Sequence, residues 1–376
     1  MFRRFVPPIV VIAALVTAIL PAAAQETAAP GSWCAPAPLR TPAAYTDGFV
    51  ALGQSGAGWV TGDGAVPVRV DADRANPSRV VWLFGDTFVG ARNADGSLAP
   101  GWTLVHNTLV EQQGQCFHPL VGAIAGAPVS YLATPGADDW LWPTGGFVRG
   151  DEIVVTLLHV QAAPGDAGFA WTITGAAVAT LQRDTLAVTA ITDVPAMTIA
   201  TATGPVVLGE TILVQGRYLY AYGTRKTTGT VEHFVARTDR ATAPLGIWSV
   251  WDGKGWSTDA THLAPLRVGG APAVTALSVT AHGDGFQAVG LASLQPGPIL
   301  RWTARSPAGP WRSTTPAGAA TAPTGGIAYG AHLVTVPDAG EILGHSFNDV
   351  APDAVVLDPS RYGVRFTTVA PYDHRP

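Results

Sequence analysis

The feature that most limits what this chain can fold into is a recurrence. A short run of β-branched and aromatic residues ends in glycine and a polar residue, and then a similar run begins again. Val81-Trp82-Leu83-Phe84-Gly85-Asp86-Thr87 and Tyr218-Leu219-Tyr220-Ala221-Tyr222-Gly223-Thr224 are the clearest copies. Runs of this length and composition predict buried strands. The breaks between them carry turn chemistry, as in Asn93-Ala94-Asp95-Gly96. No stretch longer than two turns shows a convincing helical period.

The strands fall into five sets. The first covers residues 49–52, 58–61, 65–70, 80–88 and 103–110. The second covers 146–149, 152–159, 170–174 and 176–183. The third covers 205–207, 218–222, 232–237 and 248–251. The fourth covers 274–279, 285–291, 299–304 and Trp311, and the fifth 326–329, 331–336, 341–346 and 364–369. Five sets of roughly four strands, at the spacing of propeller blades, predict an all-β, five-bladed β-propeller. Closing the ring removes most strand edges, which so apolar a chain needs. The rival is a large β-sandwich or a pair of them, but no composition break separates two domains. Hydrophobic residues make up 47% of the 376 positions and charged residues 13%, so a large core is expected rather than disorder. A net charge of −5 with no basic run argues against a nucleic-acid partner.

Residues 1–24 read as a signal peptide. Arg3 and Arg4 precede an apolar run over 5–20, and Ala22-Ala23-Ala24 offers a cleavage site before Gln25. The run is short for a membrane span and contains Pro7-Pro8. The expected location is secreted, or extracytoplasmic, without stable membrane insertion after cleavage. Residues 25–45 are Ala/Pro-rich and expected to be extended, and 46–376 to form a single propeller domain. The two cysteines, Cys34 and Cys116, are expected to form one disulfide.

An ordered set of motifs resembles the secreted five-bladed propellers that were long a domain of unknown function and now include the endo-D-arabinanases of glycoside hydrolase family 183. The set runs from Thr61-Gly62-Asp63-Gly64-Ala65 through Trp82-Leu83-Phe84-Gly85-Asp86-Thr87-Phe88 to His106-Asn107-Thr108. Trp142-Pro143-Thr144-Gly145-Gly146 follows, then Tyr220-Ala221-Tyr222-Gly223-Thr224-Arg225 with Val235-Ala236-Arg237 and Trp251-Asp252-Gly253-Lys254-Gly255-Trp256. Ser306-Pro307-Ala308-Gly309-Pro310-Trp311 and Glu341-Ile342-Leu343-Gly344-His345-Ser346-Phe347-Asn348 complete it. The likeness covers most of the chain beyond the signal segment. One departure is Leu208, where family members are often aromatic. The resemblance implies a glycosidase acting on a furanose-rich polysaccharide, D-arabinan of an actinobacterial cell wall (arabinogalactan or lipoarabinomannan).

Glycoside hydrolysis needs two carboxyl groups, one protonated and one ionised. Asp63 and Asp86, each in a Gly-Asp-small sequence of the first set, are the natural catalytic pair; the bland alternative is that both cap turns. Arabinan-type propellers draw acids from different blades, which makes Glu210 a third candidate and a possible proton donor. Asp138 and Asp139 read as loop residues. His106 and Asn107 are candidates for bonding sugar hydroxyls, and Trp142 for stacking on a sugar ring. Tyr222 and Arg225 are candidates to line the channel, and His345 and Asn348 to close the site. No cofactor and no metal ion is required by this chemistry. Motifs for serine hydrolases, zinc peptidases, phosphate loops and dinucleotide sites are missing. The reading is a secreted, monomeric glycosidase whose partner is its polysaccharide substrate. The alternatives are a non-catalytic propeller that binds glycan at the cell envelope, and a structural or interaction module there.

Overall fold

The computed structural model describes residues 26–28, 31–71, 79–133, 139–164, 170–227, 230–337, 339–351 and 353–371. The expected signal peptide lies outside the described residues. The strands form five antiparallel sheets of eight, four, six, five and three strands, here sheets I to V in chain order. Their first long strands are Trp59–Arg69, Asp139–Arg149, Val206–Gln215, Ser278–His282 and Ile327–Val336. Each of these touches the next, and the fifth returns to touch the first. The chain is therefore all-β with a propeller-like arrangement.

A separate apolar cluster fills each gap between sheets. Leu141, Ile153, Val155 and Leu181 pack between sheets I and II. Val154, Val178, Leu208 and Phe234 pack between II and III. Tyr222, Val235, Trp302 and Trp311 lie between III and IV, and Val289, Ile299, Leu333 and Leu343 between IV and V. Side chains of the first strands then stitch neighbouring sheets by bonding backbone. Thr144 donates to the Gly209 carbonyl, Thr211 to the Leu277 carbonyl, and Ser278 accepts from the Leu333 N–H. Between V and I, Ser346 accepts from the Gly64 N–H and Thr61 donates to the Tyr362 carbonyl. These bonds satisfy backbone groups that the strand ladders leave over.

Two expectations change. Residues 49–52 are not a strand; they lie in a helix, Pro42–Gln54, that also takes in the end of the segment expected to be extended. Thr41 caps it by accepting the Ala44 N–H, Pro42 starts it, and Tyr45, Phe49 and Leu52 recur at helical spacing on its buried side. Those three rings and branches pack on Trp59, Trp82, Phe84 and Phe117 of sheet I and Phe366 of sheet V. Second, several breaks read as turns are bulges inside one strand. The runs 58–61 and 65–70 merge, but for their outermost residues, into Trp59–Arg69, 326–329 and 331–336 into Ile327–Val336, and 170–174 and 176–183 into Trp171–Gln182. Cys34 and Cys116 are joined in a disulfide, tying the approach to the helix to the Cys116–Ile124 strand.

Candidate active site

The ladder between Trp59–Arg69 and its partner Arg79–Val89 slips around Gly62 and Gly64, leaving Asp63 without a register partner. The ladders of sheets II and III slip at the corresponding places, leaving out Thr144 in one and Gly209 and Glu210 in the other. A bulge re-aims the side chain it carries, so the first strands of sheets I, II and III present Asp63, Thr144 and Glu210. Glycine makes the first bulge possible. Gly64 has φ +87°, and an ideal Cβ on Gly85 would lie 2.4 Å from Asp63 Oδ1.

Asp63 keeps a partial opening to solvent but lies deep among protein atoms. The Tyr329 hydroxyl from sheet V donates to its Oδ2 at 2.8 Å. The Tyr362 hydroxyl bonds the Asp86 carbonyl at 2.8 Å and also interacts with the Asp63 carboxyl. Burial, and then the charge of neighbouring Asp86, push the Asp63 carboxyl up from 3.8 to about 7, against the pull of the two tyrosines and the Asp86 N–H. Asp86 sits in a different environment. Its side chain is 26% exposed, and Oδ1 accepts the Trp142 indole N–H at 2.9 Å and meets His106 Nδ1 at 2.9 Å. His106 in turn stacks on Trp140 at 4.4 Å. One carboxyl is thus arranged to hold a proton near neutrality, while its neighbour sits among polar contacts that suit a carboxylate.

Glu210 keeps a partial opening to solvent but is likewise enclosed by protein atoms, and burial raises its pKa. Its Oε1 accepts from both the N–H and the hydroxyl of Thr224 at 2.6 Å, and its Oε2 from the Ala276 N–H at 3.2 Å. It joins sheet III to the segment leading into sheet IV. Among the described residues no group of three or more His, Cys, Asp and Glu side chains is placed to hold a metal ion.

The remaining candidates divide. His106 and Trp142 converge on Asp86. Asn107 does not have a free amide for a sugar: it is fully buried, donates to the Leu132 and Leu141 carbonyls at 2.8 Å and accepts from the Leu132 N–H. It clips sheet I to sheet II. Tyr222 is buried between sheets III and IV and donates to the Pro307 carbonyl at 3.0 Å, so it lines no channel. Arg225 is taken up by Glu232 and by the Thr201 hydroxyl. Burial pushes His345 down to about 4, and its Nε2 accepts from the Thr321 N–H. It lines a shallow cavity beside the helix, with Asp47, Thr321 and Arg365, away from the carboxyl pair. Asn348 pairs with Tyr362 in the ladder of sheet V, at the same strand end as the site. Asp139 belongs to a strand rather than a loop, and Asp138 lies outside the described residues. Tyr329, Tyr362, Trp140 and Trp171 were not singled out by the sequence. Tyr329 stands 266 positions from the carboxyl it bonds, and no local pattern marks that meeting.

The fold and this site define a propeller-like all-β protein with two electrostatically coupled carboxyl groups where its first and last sheets meet. The chain belongs to the family described as "Domain of unknown function (DUF5005)", whose model matches residues 47–329. Among solved structures, a Bacteroides ovatus protein described as a hydrolase shares its fold, with a TM-score of 0.62 at 16% identity over 85% of this chain and 89% of that one. The GH43_1 enzyme from Xanthomonas citri, solved with xylotriose, aligns at a TM-score of 0.47 and 12% identity over 82% of this chain and 87% of the other. No curated protein matches the chain. Among the described residues no helix is long and apolar enough to cross a membrane.

Proposed function

We propose that this chain is a secreted, five-bladed β-propeller glycoside hydrolase acting on a furanose-rich cell-wall polysaccharide, with D-arabinan as the substrate. The closed circuit of five sheets supports the five-bladed form. The observation that carries the hydrolytic reading is the electrostatic coupling of Asp63 to Asp86, two carboxyl groups in unlike surroundings. Asp63, kept protonated near neutrality by burial and by its neighbour's charge, gives its proton to the leaving glycosidic oxygen. Asp86, oriented by Trp142 and His106, is the second carboxyl and faces the anomeric carbon. Glu210 holds Thr224 and Ala276 in place, and is the reserve candidate for the acid. A purely glycan-binding module can bond sugar hydroxyls with carboxylates but does not require one carboxyl to hold a proton near neutrality beside another.

The test is incubation of the purified protein with arabinogalactan beside Asp86→Asn and Asp63→Asn variants. The native protein is expected to release fragments, with each variant slower by about 100-fold or more. Absence of release by the native protein, or release undiminished in both variants, overturns the hydrolytic reading.

A further inference from the structure

Asp86 is held in a closed circuit of rings. Its Oδ1 takes the Trp142 N–H, Trp142 packs edge-on against Trp140 at 6.2 Å and 65°, Trp140 stacks on His106, and His106 returns to Asp86. The circuit fixes the plane of the Trp142 indole. One further ring joins from outside it. Trp171, first residue of the Trp171–Gln182 strand, meets Trp142 at 4.8 Å with the planes at 81° and remains 37% exposed. The two indoles form a right-angled corner on sheet II, beside the carboxyl pair. A large, partly bare indole seated against a fixed one beside polar side chains is what a stacking ligand covers.

The charge around the corner selects the ligand. Asp86 stands on the neighbouring sheet I, and Asp139 and Asp193 of sheet II flank His159 at 3.1 and 2.8 Å. Arg225, on sheet III, is already paired with Glu232. An anionic sugar meets a surplus of carboxyl groups there, and an uncharged one does not.

We infer that Trp142 and Trp171 form a subsite for one uncharged sugar ring of the glycan, adjoining Asp86. Trp171 covers the C–H face of the ring, and Trp142 walls its edge while orienting Asp86. The inference rests on the reading of the substrate as a glycan but not on hydrolysis itself.

The test measures binding rather than turnover. In the Asp63→Asn protein, calorimetry follows a linear arabinofuranose pentasaccharide and, for comparison, a galacturonic acid pentasaccharide. Adding Trp171→Ala is expected to raise the arabinofuranoside Kd about tenfold or more, with Trp171→Phe recovering most of it. The galacturonide is expected to bind at least tenfold more weakly than the arabinofuranoside. An arabinofuranoside Kd within twofold for Trp171→Ala, or equal binding of the two glycans, overturns the subsite. No arabinofuranoside binding at all overturns both the subsite and the proposed substrate. Binding that depends on Trp171 in a protein that releases no fragments from arabinogalactan upholds the subsite and removes the hydrolase.

Discussion

Asp63 owes its setting to an atom that Gly85 lacks. The carboxyl rests where a Cβ at position 85 would be, 2.4 Å from it, so alanine there must displace the acid or part the strands. Gly85→Ala is expected to lower any glycosidase activity at least tenfold while the circular dichroism spectrum keeps its β form; unchanged activity would remove Asp63 from the mechanism. The raised pKa gives a second expectation. Between about 4 and about 7 the folded protein holds a proton on Asp63 that the unfolded chain has released. This contribution to stability is complete at the acid end and is lost as pH rises through about 7. Asp63→Asn has no such group, so its melting temperature should gain on the native protein's as pH goes from 4 to 7.5. A constant difference across that range would mean the folded pKa is not raised. In activity, the same group predicts a fall in kcat/KM above about pH 7, as the proton to be donated is lost.

At the scale of elements, the sequence showed the strands better than their joints. Apolar alternation marks the middle of each strand because burial there is uniform. A glycine inside a strand looks the same as one between strands, so Gly62-Asp63-Gly64 read as a turn and proved to be a bulge. That Asp63 and Asp86 stand near one another was legible because both fall in one hairpin with local glycine chemistry. The tyrosines that bond it come from sheet V, and that distance in sequence hides them. Asn107, Tyr222 and His345 misled for the opposite reason: polar residues beside aromatic strands look ready for a ligand, yet burial has spent their hydrogen bonds or closed off their rings. The helix was missed although Tyr45, Phe49 and Leu52 follow its period, since four apolar residues at 49–52 also fit a strand. Phe49 is its main anchor, with ring centroids 5.0 to 6.3 Å from Trp59, Trp82, Phe84, Phe117 and Phe366. Phe49→Ala should cost about 3–5 kcal/mol in urea unfolding. A loss below about 1 kcal/mol would show that the helix is not part of the core.

At the scale of the whole molecule, the question is what closes the ring. Among the described residues sheet I holds only strands from the first part of the chain and sheet V only strands from the last, and none is shared between them. Closure falls to side chains and to the helix. Tyr329 bonds Asp63, Ser346 bonds Gly64, Thr61 bonds Tyr362, and Thr46 of the helix accepts the Phe366 N–H of the outermost strand of sheet V. The carboxyl pair therefore lies on the closing seam, and whatever holds the helix also holds the site. The Cys34–Cys116 bond anchors the chain just before the helix, across a sequence separation of 82. Cross-linking that span restricts the unfolded chain by about 4 kcal/mol. The paired Cys34→Ser and Cys116→Ser variant should lose about that much in unfolding free energy. It should also exchange amide hydrogens faster in Pro42–Gln54 and Tyr362–Thr368 than in sheet III, because the loss is felt first at the seam. Uniformly faster exchange across all five sheets would instead mean that the ring opens as one cooperative unit and that the helix does not act as its latch.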